Sequence, residues 1–250
     1  MLQVGSHLVS VTGHRGNAEW APENTMCSFE QALDLGVDAL ETDVRLSKDR
    51  VPFLFHDASL ERITGTARAA NSLTMDELRS LDAGSWKGSA HRGQGIPDLV
   101  ELAELCRGRA RLVLDLKVED AAGPIAEALR VSGLPRDAVS ICAWNDRHAR
   151  DVGAHLEGVD LRFSTEQPLP SCDERWFEEM KAKGYRGLSI DWNLLHEEII
   201  QLAHAQQVRV VTWTVNEPEE MARALASGVD EIITDDPGGL IALHTGPRSP

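Results

Sequence analysis

Short β-branched and apolar runs alternate along the chain with longer stretches of helical period, a pattern that predicts parallel strands joined by crossover helices. Strands are expected at Leu8 to Thr12, Ala39 to Arg45, Leu112 to Val118, Val139 to Ala143, Leu161 to Ser164, Gly187 to Asp191, Val208 to Val215 and Glu231 to Thr234. Helices are expected at Thr25 to Leu35, Leu99 to Cys106, Pro124 to Val131, Asp146 to Leu156, Glu174 to Ala182, His196 to Gln206, Pro218 to Ala226 and Gly239 to His244. Start and stop signals support these limits: Asn24 or Thr25 can cap the first helix and Gly36 can end it, while Pro218 opens a later one that Gly228 closes. Eight strand-helix pairs imply a closed (β/α)8 TIM barrel rather than an open sheet. One stretch breaks the repeat. Residues 51–97 hold an extra strand, Val51 to Phe55, and a short helix near Met75 to Leu81, and read as a small insertion after the second strand, over the catalytic end.

Composition adds bounds. A chain of 250 residues, 42% hydrophobic and 26% charged, suits one soluble barrel domain spanning residues 1–250. A net charge of -15 repels nucleic acid and anionic surfaces, so non-specific polyanion binding is excluded. An anionic small molecule remains possible if a bound metal ion and placed Arg or Lys residues supply local positive charge. Cys27, Cys106, Cys142 and Cys172 lie far apart and read as reduced thiols. No leader pattern precedes Ser10 and no apolar run reaches ~18 residues, so a cytoplasmic enzyme without stable membrane insertion is expected unless a leader has been trimmed.

In a barrel of this kind chemistry sits at the carboxyl ends of the strands. Glu41 and Asp43, at i and i+2, project to one side of the second strand. Two converging buried carboxylates repel, so a divalent metal with oxygen ligands is the simplest solution; the alternative is that one faces solvent in a salt bridge. Asp115 and Lys117 repeat the spacing inside an apolar run. Asp115 can supply a third carboxylate and Lys117 a point charge for a phosphate oxygen, or the two form a structural ion pair.

His14 and Arg15 follow the first strand, and His56 and Asp57 end the extra one. Two imidazoles can divide phosphodiester cleavage, one accepting a proton or attacking phosphorus and the other protonating the leaving alkoxide, while Arg15 braces the phosphate oxygens. The remaining histidines fall in helices, termini or the insertion and read as surface or core residues. Trp213, near the end of the seventh strand, can wall the site or simply pack; Pro22-Glu23-Asn24-Thr25 reads as a turn into a capped helix, and Asp235 and Asp236 as cap or turn residues.

The ordered set His14-Arg15-Gly16, Pro22-Glu23-Asn24-Thr25, Gly36-Val37-Asp38, Glu41-Thr42-Asp43-Val44, His56-Asp57, Asp115-Leu116-Lys117, Trp213-Thr214-Val215-Asn216, Gly228-Val229-Asp230 and Thr234-Asp235 resembles the glycerophosphodiester phosphodiesterase family over nearly the whole chain. The resemblance implies one divalent metal ion, Mg2+ or Ca2+, and hydrolysis of glycerophosphodiesters to glycerol 3-phosphate and an alcohol. It further implies Glu41, Asp43 and Asp115 as metal ligands, His14 and His56 as the catalytic pair, Arg15 and Lys117 as phosphate contacts, and Glu23 as a residue supporting the substrate site. Asp115 departs from the family's usual Glu and is similar to the related sphingomyelinase D type phospholipases. Lys48-Asp49-Arg50 replaces the common Asp-Gly turn. The alternatives are therefore a lysophospholipase D or sphingomyelinase D type reaction, for which Leu194-Leu195 and the Trp86 region are the possible interfacial loops, and a silent barrel that only binds phosphorylated ligands. Oligomeric state leaves no signature.

Overall fold

The computed structural model describes residues 1–245; the last five residues of the expected domain, 246–250, lie outside the described residues. In chain order the strands are β1 (Leu2–Val4), β2 (His7–Gly13), β3 (Ala39–Leu46), β4 (Pro52–Leu54), β5 (Arg111–Leu116), β6 (Val139–Ala143), β7 (Asp160–Thr165), β8 (Gly187–Asp191), β9 (Arg209–Trp213) and β10 (Glu231–Thr234). The order β2-β3-β5-β6-β7-β8-β9-β10 is parallel throughout, and β10 pairs back onto β2, so the sheet closes as the expected (β/α)8 barrel. Helices α1 (Met26–Leu35), α2 (Glu61–Thr64), α3 (Met75–Arg79), α4 (Leu99–Cys106), α5 (Ala122–Ser132), α6 (Asp146–His155), α7 (Glu174–Ala182), α8 (Glu197–Ala205), α9 (Pro218–Ser227) and α10 (Pro237–Thr245) complete it. Among the described residues no helix is long and apolar enough to cross a membrane.

Strand alternation explains where the core lies. Leu40 and Val44 of β3, Leu112 and Leu114 of β5, Ile141 of β6 and Ile190 of β8 point outward and pack with the helices in one large apolar cluster. Inside the barrel apolar side chains are few, among them Ile233 at the cavity and a small cluster of Ala39, Val113 and Cys142. Beneath it the interior is ionic. Arg162 forks onto Glu231 at 3.1 and 2.9 Å, Arg111 reaches the same carboxylate at 3.0 Å, and Thr12 donates to it at 2.7 Å. Arg162 and Glu231 are fully buried, and Gly187 makes room for the arginine, because a Cβ there would come 3.0 Å from Arg162 Cγ.

The insertion departs in part from expectation. β4 runs antiparallel to the end of β3, with Leu54 opposite Val44, and the segment carries its own apolar cluster, which includes Phe53, Phe55, Leu60, Ile63 and Leu78. It meets the β2–α1 loop at the barrel mouth, where Arg62 binds Glu23 at 2.8 Å and Lys87 donates to the Ala18 carbonyl at 2.6 Å. β1 and α2 were not expected, and Lys117 lies just past the end of β5 rather than within it.

Candidate active site

Register brings the carboxylates together. Asp43 on β3 is the direct partner of Asp115 on β5, and Glu41 lies two residues back on the same face as Asp43. Ligand atoms of Glu41, Asp43 and Asp115 all lie within 4.8 Å of one another, and the three residues are buried. They line a cavity of about 130 Å³ with His14, Arg15, His56, Lys117 and Trp213. Of the residues expected at the site, only Glu23 lies behind it: Glu23 accepts from Arg15 at 2.7 Å and from Arg62 at 2.8 Å, and so holds the arginine beside the cavity.

The loop from β2 into α1 sets up one wall. Gly16 has φ +94, and a Cβ there would lie 2.6 Å from the Ser28 carbonyl carbon, so only glycine lets the chain fold over the start of α1. Thr25 caps α1, whereas Asn24 turns inward, donating to Asp43 Oδ2 at 2.8 Å and accepting from Thr42 at 2.7 Å. The Pro22-Glu23-Asn24-Thr25 stretch is thus both the expected capped turn and a brace for the carboxylates.

Charge is tightly arranged. Burial opposes ionisation of Asp43, but Arg15 at 3.0 Å and Lys117 at 3.2 Å outweigh it and hold the carboxyl well below its ordinary pKa. Burial pushes Glu41 up to about 7, with Asp43 and Asp115 adding repulsion that His14 and Arg15 oppose. Asp115 is also raised, by burial first and by Asp43, although Lys117 lies 2.7 Å away. The three carboxylates against Arg15 and Lys117 leave one formal negative charge, which repels a phosphodiester anion. An oxygen-only donor set of this size, strained by its own repulsion, fits a hard divalent cation, which reverses the sign.

Both histidines are oriented by carboxylates. His14 Nδ1 lies 2.6 Å from Asp235, and His56 Nδ1 lies 2.7 Å from Asp57, so each Nε2 is left for other partners. Burial disfavours the His14 imidazolium, but Glu41 and Asp235 outweigh burial and raise its pKa. Asp235, expected as a turn residue, is therefore an orienting residue, itself held by Asn216 at 2.6 Å; Asp236 does cap α10, accepting from Gly239. Trp144 was missed. It follows β6, hydrogen-bonds Asp115 through Nε1 and stacks edge-on against Trp213 at 5.7 Å. Its place one residue past a strand end was the available signal. Leu194 and Leu195 pack against the core instead of forming an exposed loop, while Trp86 stays 40% exposed.

The sequence profile of the glycerophosphoryl diester phosphodiesterase family matches residues 14–239. A glycerophosphodiester phosphodiesterase of Caldanaerobacter subterraneus subsp. tengcongensis is 31% identical over 240 residues, covering 93% of this chain and 96% of that one. Another, from Bacillus altitudinis, is 27% identical across 95% of this chain and 98% of its own length. Among solved structures, an Oleispira antarctica phosphodiesterase in complex with its product sn-glycerol-3-phosphate superposes with a TM-score of 0.89 at 27% identity, covering 96% of this chain and 98% of that one. With a profile match running from the end of the first barrel strand into the last helix, and relatives aligned over nearly their full length, the chain belongs to the glycerophosphoryl diester phosphodiesterase family of hydrolases.

Proposed function

We propose that residues 1–250 act as a single barrel domain that hydrolyses glycerophosphodiesters to glycerol 3-phosphate and an alcohol. The observation that carries this reading is the meeting of three buried carboxylates, two carboxylate-oriented imidazoles, an arginine and a lysine in one small cavity. Glu41, Asp43 and Asp115 would hold one divalent ion, Mg2+ or Ca2+, which when bound supplies positive charge to the phosphate oxygens. Arg15, steadied by Glu23, and Lys117 brace the phosphate; both also balance Asp43. His14, on the Asp235 side, accepts the proton of the attacking group or attacks phosphorus itself, and His56, steadied by Asp57, protonates the departing alkoxide. Trp213 walls the glycerol end.

The test is turnover of glycerophosphocholine, glycerophosphoethanolamine, lysophosphatidylcholine and sphingomyelin, each with Mg2+, Ca2+ or EDTA. Release of glycerol 3-phosphate from the first two, abolished by EDTA and restored by metal, is expected; undiminished turnover after exhaustive chelation would remove the metal from the reaction. Preferential cleavage of the two lipids would favour the phospholipase D type reading.

Asp43→Asn is expected to weaken metal binding by more than ~100-fold, beyond the 10–100-fold typical of outer contacts, with the far-UV dichroism of the native fold retained. Unchanged metal titration by calorimetry would exclude Asp43 as a ligand.

A further inference from the structure

The cavity does not end at the three carboxylates. On the flank of β5, β6 and β7 it continues past Lys117, Trp144 and Glu166, which line both spaces, into an open groove of about 440 Å³. The two ends of a glycerophosphodiester differ in what they would place there: glycerol phosphate is small and constant, whereas the alcohol varies in size and charge. β4, which delivers His56, pairs with β3 on the edge opposite β5, the edge that β2 also uses, so both histidines reach the cavity from the flank away from the groove. The groove is larger than the cavity it adjoins and so suits the variable alcohol, while the smaller enclosed part suits the glycerol phosphate end.

The charges in the groove are balanced except at one point. Lys117 is engaged by Asp115 at 2.7 Å and Asp43 at 3.2 Å, and Glu119 is paired with Arg147. His148 Nδ1 accepts from the Trp144 amide at 3.4 Å, and burial lowers its pKa, so it is uncharged at neutral pH. Glu166 is exposed and has no hydrogen bond or ion pair among the described residues. Beside it the Trp144 ring is held by Asp115 and Trp213, and it already takes an ammonium, Lys117 Nζ, 5.4 Å from its centroid. An unpaired carboxylate next to a fixed indole is a chemistry that attracts alkylammonium groups.

We propose that Glu166 and Trp144 form the subsite for the departing alcohol and select alcohols that carry a positive charge, a primary or quaternary ammonium, over neutral ones. The inference rests on the hydrolytic reading above and goes beyond it by assigning selectivity to one residue. A single half-solvated ion pair combined with one cation–π contact is worth about tenfold in relative kcat/KM.

The experiment compares kcat/KM for glycerophosphocholine and glycerophosphoethanolamine with that for glycerophosphoglycerol and glycerophosphoinositol, at fixed metal and low ionic strength. The wild-type ratio is expected to favour the cationic pair by about tenfold, and added salt shrinks it. Glu166→Gln lowers the ratio to roughly threefold, through KM, because the Trp144 contact remains, and Glu166→Lys inverts it. Ratios equal to wild type in both variants overturn the proposal while leaving hydrolysis intact. Failure to turn over any of the four diesters overturns the hydrolytic reading and this inference together.

Discussion

His56→Ala is expected to slow hydrolysis of a glycerophosphodiester by on the order of 10²–10⁴, the usual worth of a positioned proton donor. The same variant should lose less than about tenfold on bis-nitrophenyl phosphate. An alkoxide is nearly as basic as hydroxide, whose parent acid has a pKa of ~15.7, and needs a proton as the bond breaks; a nitrophenolate leaves without one. His14→Ala should damage both reactions alike, because attack on phosphorus is common to them. Each imidazole has its own carboxylate, Asp235 for His14 and Asp57 for His56, so the two rings can act independently. A reversed pattern would exchange the roles, and equal losses on both substrates would mean that the two rings act as one unit.

Glu231→Ala should cost about 3–5 kcal/mol of stability, because it removes both forked bonds of the fully buried Arg162 guanidinium and leaves it only Asp160 at 3.0 Å. At ~2–4 °C per kcal/mol for a chain of this length, the melting temperature should fall by roughly 6–20 °C. The same network predicts an acid limb. Burial alone would raise the Glu231 pKa, but Arg162 and Arg111 outweigh burial and hold it down to about 2. A depressed folded-state pKa gives stability that is fully present above the ordinary value of 4.5 and is lost as pH falls from there towards 2. In wild type the melting temperature should therefore drop through this window, and in Glu231→Ala that part of the drop should be missing. Pairing the change with Arg162→Met should recover much of the loss, since an apolar replacement for a buried ion pair is often neutral or better. A single variant that melts within ~2 °C of wild type would show that the network adds nothing to stability.

The two ends of the barrel differed in how readable they were. Outward strand positions such as Leu40, Leu112 and Ile190 face helices and must be apolar, so the eight strands stood out from their polar surroundings. Inward positions carry no such rule: Arg162 and Glu231 lie in expected strands, and nothing in their spacing announced that they meet 69 residues apart. β1 and α2 are three and four residues long, too short for a period to register. Glu41, Asp43 and Asp115 were legible because paired acids at i and i+2 or inside an apolar run are costly without a use. Asn24 and Asp235 were not, since both are ordinary turn residues and only the fold shows that one reaches Asp43 and the other His14.

The separate apolar cluster of the insertion bears on how such a barrel can be remodelled. Phe53, Phe55, Leu60 and their neighbours bury one another rather than the barrel interior, whereas the three carboxylates stand on β3 and β5 and owe their spacing to strand register. The segment is thus a cassette: exchanging it for another of similar span would leave the ligand geometry in place. What travels with it is His56 and its partner Asp57, so a swapped cassette carries off the proposed proton donor and leaves the acidic centre behind. On the proposed reading, affinity for the ion and competence to release a poor leaving group are therefore encoded in different parts of the chain, and a grafting experiment is expected to alter one without the other.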